Sequence, residues 1–261
     1  MRAYAVHRDV VVVTSLLWQV NAIAIRGGEE ALLVDSPYFP DELDALPAVL
    51  AQAGFEVSAL LATHADFDHV LGRLAYPQLA LGVGEGTGER LRAEPGLAQR
   101  RLRDEDDGFY VRRPRPLALG AYQVLPVPGY LEVGAGNELE LHPAEGHTAD
   151  GTAILVPWAE VLACGDYLSG VEIPMISPGG SLAAYRATLE RLAPLVARVG
   201  TVVPGHGPPH ERDAALRVLS QDTEYLDTLE RGDERPKLPS GRDSTRQRAI
   251  HSANLARCHS S

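Results

Sequence analysis

Short apolar runs closed by turn residues dominate the first part of the chain: residues 10–13, 20–25 and 31–34, the last ending in Asp35. Runs of this length, rich in β-branched residues, predict strands. The period then changes. Leu43, Leu46, Val49 and Leu50 fall on one face of a helix predicted over 41–54, with Gly54 as its stop. A further apolar strand over 57–62 runs directly into His64. Residues 70–74 predict a short helix, 79–83 a strand and 88–93 another helix. Residues 94–119 break the pattern; polar and arginine-rich, they read as a variable insertion or a lid over a site.

Strand signals return at 122–127, 138–141, 152–156 and 161–163. Ser181 caps a helix predicted over 181–196, whose apolar stripe is Leu182, Tyr185, Leu189, Leu192 and Leu195. A strand at 201–203 ends in Pro204-Gly205-His206-Gly207, and a long helix follows over 212–229. Residues 231–246 are polar, contain Pro236 and Pro239, and lead into a short helix at 249–256. The expected organisation is one domain over residues 1–230, with 231–261 a polar linker and short helix that packs on it or trails from it. Two strand-rich halves flanked by helices are visible, without a recognisable internal repeat.

Composition narrows the function classes. With 45% hydrophobic and 23% charged residues, the chain is an ordinary globular protein able to bury a core. Its net charge of −11 is poorly suited to phosphate backbones. The nearest basic patch, Arg100, Arg101 and Arg103 with Arg112, Arg113 and Arg115, is split by Asp104-Glu105-Asp106-Asp107 and reads as a solvated loop. No nucleic-acid partner is expected. No apolar run approaches the roughly 18 residues of a membrane span, so no membrane partner is expected either. The first nine residues lack a signal-peptide core, and Cys164 and Cys258 form no disulfide framework or Cys-x-x-Cys pair, so a cytoplasmic location is expected. Nothing in the pattern fixes the oligomeric state.

The candidate chemistry is concentrated in Thr63-His64-Ala65-Asp66-Phe67-Asp68-His69. Imidazole suits zinc and iron, carboxylate oxygen suits harder cations, and a site using both can hold a Lewis acid that activates water. Three more segments carry ligand-type residues beside glycine after predicted strands: Glu145-Gly146-His147-Thr148, Cys164-Gly165-Asp166 and Pro204-Gly205-His206-Gly207. Singly, each reads as readily as a surface or core residue. Together, at strand ends where α/β sheets place their sites, they form a constellation.

In this order the segments resemble the metallo-β-lactamase superfamily of metallohydrolases, and the matches, with Asp35, span nearly all of the chain outside its tail. The resemblance implies an α+β fold, a four-layer αββα sandwich with two divalent metal ions at one edge. It assigns His64, Asp66 and His147 to one metal, Asp68, His69 and His206 to the other, and Asp166 to a bridge. A metal-bridging hydroxide would be the nucleophile, Asp68 and Asp166 would be the catalytic carboxylates, and Asp35 would hold a ligand in place. The glyoxalase II-like and lactonase-like branches are the nearest, which implies hydrolysis of a small ester, thioester or lactone. A secreted β-lactamase and a nuclease fit less well.

One position departs from the pattern. The spacing is that of His-x-His-x-Asp-His, but Asp66 stands where the second histidine belongs. A neutral ligand becomes an anion, which leaves a two-metal site formally neutral, weakens its Lewis acidity and shifts its preference toward harder metals. Zinc is the expected metal, with iron or manganese admitted by Asp66. Each metal would have two histidines and one carboxylate, a set shared with non-haem iron sites. The alternative function is therefore a non-haem diiron redox enzyme, similar to flavodiiron proteins without their flavin domain, or a dioxygenase.

Among other side chains, Tyr130 and Tyr167 adjoin the site loops and are candidates for oxyanion donors or for packing. Trp18 and Phe67 are candidates for an apolar wall, with Phe67 turned inward beneath the metal loop. Cys164 reads as buried and inert. His142, His210, His7, His251 and His259 read as surface or terminal residues.

Overall fold

The computed structural model describes residues 1–134 and 136–259. Its first half contains the strands β1 (Arg2–His7), β2 (Val10–Thr14), β3 (Asn21–Gly27), β4 (Glu30–Asp35), β5 (Val57–Ala62), β6 (Ala80–Gly84) and β7 (Gln123–Leu125). Between them lie the helices α1 (Pro40–Gln52), α2 (Gly72–Ala75), α3 (Glu85–Ala93) and α4 (Leu97–Gly108). The second half has β8 (Gly129–Glu132), β9 (Glu138–Pro143), β10 (Thr152–Val156), β11 (Val161–Ala163), β12 (Thr201–Val203) and β13 (His210–Glu211), with α5 (Leu182–Arg198), α6 (Arg212–Glu230) and α7 (Thr245–His259).

The strands form two sheets, ordered β1 through β7 and β13 through β8. In the first, β4, β5, β6 and β7 run parallel, so β4 and β5 end on the same edge. In the second, β11 and β12 run parallel and end there too.

Strand alternation explains the layers. Along β2, Val11 and Val13 face a core shared with Leu43, Leu46 and Leu50 of α1, while Val10 and Val12 face a core between the sheets. In β10, Ile154 and Val156 meet that same inter-sheet core, while Ala153 and Leu155 pack under Tyr185, Leu189 and Leu192 of α5 and Leu226 and Leu229 of α6. Strands buried on both faces read as continuous apolar runs. Three cores separate four layers, the αββα sandwich. Ser181 accepts the Ala184 N–H as the predicted cap of α5.

Beyond the unpredicted strands β1, β8 and β13, two stretches differ from the sequence reading. Residues 94–119 are not unpatterned, because they contain the helix α4. It rests on a narrow stripe of Ala98 and Leu102 with a buried carboxylate, Asp106, one turn on. Arg113 donates to Asp106 at 2.7 and 2.9 Å, and the Tyr38 hydroxyl donates to the same carboxylate at 2.8 Å. Part of the supposed solvated charge run is thus an internal ion pair. The terminal helix is also longer than the 249–256 expected, and its buried face is polar: Gln247, His251 and Asn254. Hydrophobic periodicity cannot register such a face.

Candidate metal centre

Each site segment leaves the end of a strand at the edge where the sheets meet. Asp35 closes β4, His64 to His69 follow β5, Asp166 follows β11 and His206 follows β12. His147 lies in the turn between β9 and β10. Two bonds stitch this edge: Thr152 N–H donates to Thr63 O at 2.8 Å, and Asn21 N–H to Gly205 O at 2.8 Å. The Asn21 side chain also donates to Pro204 O and Gly207 O, at 2.8 and 2.7 Å, fixing the loop that carries His206.

All seven residues singled out as ligands converge. His64, Asp66 and His147 form one group whose ligand atoms lie within 4.8 Å of one another, and Asp68, His69 and His206 form another. Asp166 stands between them. Its Oδ2 lies 3.8 Å from His64 Nε2 and 3.3 Å from His147 Nε2. Its Oδ1 lies 3.2 Å from His69 Nε2 and 3.4 Å from His206 Nε2. Asp66 Oδ2 approaches His147 Nε2 at 3.5 Å, and Asp68 Oδ2 approaches His206 Nε2 at 3.5 Å.

Hydrogen bonding fixes the imidazoles. His147 Nδ1–H donates to Met175 O at 2.8 Å, and His206 Nδ1–H to Trp18 O at 3.0 Å. His69 Nδ1–H donates to Asp35 Oδ2 at 2.9 Å. The Thr63 hydroxyl gives its proton to Asp35 and accepts from His64 Nδ1–H at 3.0 Å. With the proton on Nδ1, each Nε2 lone pair points inward, as metal ligation requires. Among the described residues, Nε2 of His64, His69 and His147 and Oδ1 of Asp166 are buried without a hydrogen-bond partner. Buried polar atoms are rarely left so, and four of them gathered at this edge fit residues built to hold cations.

Electrostatics agree. Burial pulls the His147 imidazole down, but Asp166 and Asp66 outweigh it and push it up to about 8. Burial likewise lowers His206 before Asp166 and Glu172 push it up to about 10. Burial and then His69 hold His64 below its ordinary value. Burial raises Asp166, yet His206, His69 and His147 hold its carboxyl well below the carboxylate range. Protons held on the imidazoles balance the ionised carboxylates.

Backbone strain gathers here as well. Trp18, Gln19 and Asp35 have φ of 50, 53 and 55°, a region uncommon for residues other than glycine. Asp35 also accepts the Thr63 N–H at 2.8 Å, so one strained carboxylate holds His64 through Thr63 and His69 directly.

Four contributors carry no motif. Arg90 of α3 donates to Asp66 Oδ1 at 2.6 Å and to Asp150 Oδ1 at 2.8 Å, bringing a positive charge to Asp66 that a count of ligand charges leaves out. Asn21, Asp150 and the Met175 carbonyl act from other elements through backbone groups or second contacts. Only Asp150, three residues beyond His147, carried a signal in its position.

The remaining candidates lie apart. Tyr167 is buried and accepts the His147 N–H at 2.9 Å, so it braces a ligand segment. Tyr130 is 68% exposed on β8. Phe67 turns beneath the loop against Trp18 and Tyr38. Burial pushes the Cys164 thiol up, and it donates to Tyr167 O, away from the ligands. His142 pairs with Glu140, and His251 is buried against Tyr225. Clefts of about 570 and 620 Å³ lie over α6 and α4, whereas those touching the ligands are about 10 Å³. Converging donors, not cleft size, locate the site.

The fold and this edge define an αββα protein with a candidate metal centre between its halves. The chain belongs to the metallo-β-lactamase superfamily, whose family model matches residues 16–206. Among solved structures it is similar to a metallo-β-lactamase family protein from Thermus thermophilus, with 24% identity and a TM-score of 0.67 over 87% of this chain and 83% of that one. DIM-1 metallo-β-lactamase, in crystals exposed to ceftazidime, shares 17% identity with a TM-score of 0.63 over 85% of this chain and 96% of that one. A metallo-β-lactamase from Pontibacter korlensis shares 16% identity with a TM-score of 0.60 over 84% and 97%. These likenesses establish the fold. No curated protein matches the chain in sequence. No helix among the described residues is long and apolar enough to cross a membrane.

Proposed function

We propose that the chain is a metal-dependent hydrolase of a small ester, thioester or lactone, with a dinuclear site that uses zinc, iron or manganese. The observation that carries this reading is the position of Asp166, with Oδ2 toward the His64/His147 pair and Oδ1 toward the His69/His206 pair. Two divalent ions there would supply an activated water and a Lewis acid for the scissile carbonyl.

The chain's own residues provide the rest. Asp166 holds the two groups in register, and the Asp68 carboxylate can accept the proton released as water attacks. Trp18, whose carbonyl accepts the His206 Nδ1–H, packs edge to face with Phe109 at 5.9 Å, with Arg246 over the Trp18 ring at 5.1 Å. This apolar group beside the loop that carries His206 supports a small organic substrate. The net charge of −11 supports a small molecule over a nucleic acid. The lactonase-like and glyoxalase II-like branches remain our reading of the reaction class.

A second reading has its own support: both groups are two histidines and one aspartate, a set that also suits non-haem iron. One experiment separates the two. Metal-stripped protein is reloaded with zinc, manganese or iron and assayed on esters, thioesters, lactones and β-lactams, with oxygen uptake recorded alongside. Turnover of an acyl substrate with redox-silent zinc supports the hydrolase. Turnover only with iron, coupled to oxygen consumption, replaces it with the redox reading.

A further inference from the structure

We propose that Arg90 is a positioning residue that makes Asp66 serviceable as a metal ligand: its guanidinium occupies Oδ1 and offsets the charge, leaving Oδ2 alone to face the cation. This rests on the dinuclear reading above and extends it to a residue outside every site segment.

The geometry carries the inference. Arg90 sits in the last turn of α3 with its side chain 9% exposed. One terminal nitrogen, Nη2, donates to Asp66 Oδ1 at 2.6 Å, and the other, Nη1, to Asp150 Oδ1 at 2.8 Å. Asp150 is itself anchored, because its Oδ2 accepts the Ala65 N–H at 2.8 Å. Ala65 precedes Asp66, so the chain of bonds leaves the metal loop and closes on it one residue away. A planar fork can satisfy two carboxylates at fixed angles, which a lysine ammonium cannot.

The pairing is also selective. Asp66, Asp68 and Asp166 all face the centre, but among the described residues Asp68 and Asp166 form ion pairs only with histidines. Arginine contacts the one carboxylate that stands where the motif has a neutral imidazole. Arg101 Nη1 lies 3.7 Å from the same Oδ1 and adds to the effect. With Oδ1 engaged, Asp66 presents one partly neutralised oxygen, closer in charge to the histidine it replaces than a free carboxylate is. Its Oδ2 is the atom that lies 3.9 Å from His64 Nε2 and 3.5 Å from His147 Nε2.

Two effects oppose each other when Arg90 is removed. The site loses a positive charge, which favours cation binding, and Asp66 loses the contact that fixes its rotamer, which disfavours it. Groups that hydrogen-bond a metal ligand typically contribute 10- to 100-fold to affinity. At this exposure, with Arg101 still present, orientation outweighs the lost charge.

The test is a zinc titration of the metal-stripped full chain, followed by cobalt(II) titration to read ligand geometry from its visible spectrum. It uses wild type, Arg90→Met, Arg90→Lys, Asp66→His and the double variant Arg90→Met/Asp66→His. Arg90→Met should weaken one of the two zinc sites about 10- to 100-fold and alter the cobalt spectrum. Arg90→Lys should recover only part of the loss. In the Asp66→His background, Arg90→Met should cost no affinity, since no carboxylate is left to hold.

An equal loss in both backgrounds would show a merely structural role and overturn the inference, as would unchanged or tighter zinc binding in Arg90→Met. Should Arg90→Met fail to fold, the comparison of Arg90→Lys with Arg90→Lys/Asp66→His decides in the same way. If wild type binds zinc and the variants behave identically, the inference alone falls; if wild type binds none, the dinuclear reading falls with it.

Discussion

Gly205 shows how tightly single residues are determined at this edge. A Cβ built there would lie 2.2 Å from Asp166 Oδ1, closer than real Cβ atoms come, and a tight 3.0 Å from the Gly165 carbonyl carbon. Gly146 has φ of 127° and would place a Cβ 2.2 Å from Tyr185 N, so the His147 turn also excludes a side chain. Gly205→Ala should therefore displace Asp166 and remove at least one metal per chain, as elemental analysis of metal-loaded protein would show, while far-ultraviolet circular dichroism stays near wild type. At this scale the ligand residues were legible in the sequence, because histidine and aspartate beside glycine at strand ends form a pattern with a chemical reason. Arg90 was not, since its role depends on where α3 carries its tip and on the rotamer of Asp66. The neutral charge total inferred for the metal pair omitted it for the same reason.

At the scale of elements, the main strands and the long helices α1, α5 and α6 followed from apolar period alone. Of the helices held by polar contacts, α4 escaped that reading and α7 was read too short. In α4 the third inward position is Asp106, satisfied by Arg113 and Tyr38. In α7 the inward positions serve the backbone of the loop opposite. Gln247 accepts the Ile173 N–H at 2.8 Å, Asn254 accepts the Ile176 N–H at 2.8 Å, and Asn254 Nδ2 donates to Pro174 O at 2.7 Å. Between those anchors lies Met175, whose carbonyl orients His147. Arg242, fully buried, binds Asp222 and the carbonyls of Ser169 and Glu172, and the Ser169 hydroxyl donates to His206 O at 2.8 Å. The segment after α6 thus secures the loops of two ligands, though it lies beyond the residues matched by the family model. Asn254→Ala leaves buried backbone groups unpaired, each worth about 1–3 kcal/mol. Denaturant unfolding should show a loss of at least that order, and zinc affinity should fall with it as Met175 loosens.

Across the whole molecule, the candidate centre joins two halves that each have a separate helix-packed core. Protonation takes the place of metal when the chain is stripped, and the sign of the pH effect follows. The folded imidazoles of His147 and His206 are raised from 6.5 to about 8 and about 10. Their contribution to stability is fully present below about 6.5 and is lost as pH rises through those values. A ligating imidazole must be neutral, so metal affinity rises over the same window. The melting temperature of metal-stripped protein should therefore fall between about pH 6.5 and 10, while the increment from added zinc should grow. Parallel melts with chelator and with zinc would check this; an increment that shrinks as pH rises would count against these histidines as ligands.

The central claim is that Asp166 separates two metal positions. Anomalous diffraction from zinc-loaded crystals, measured on both sides of the zinc absorption edge, tests it most directly. The account predicts two peaks flanking the Asp166 carboxylate, one among His64, Asp66 and His147 and the other among Asp68, His69 and His206. A single peak, or peaks away from Asp166, would contradict it.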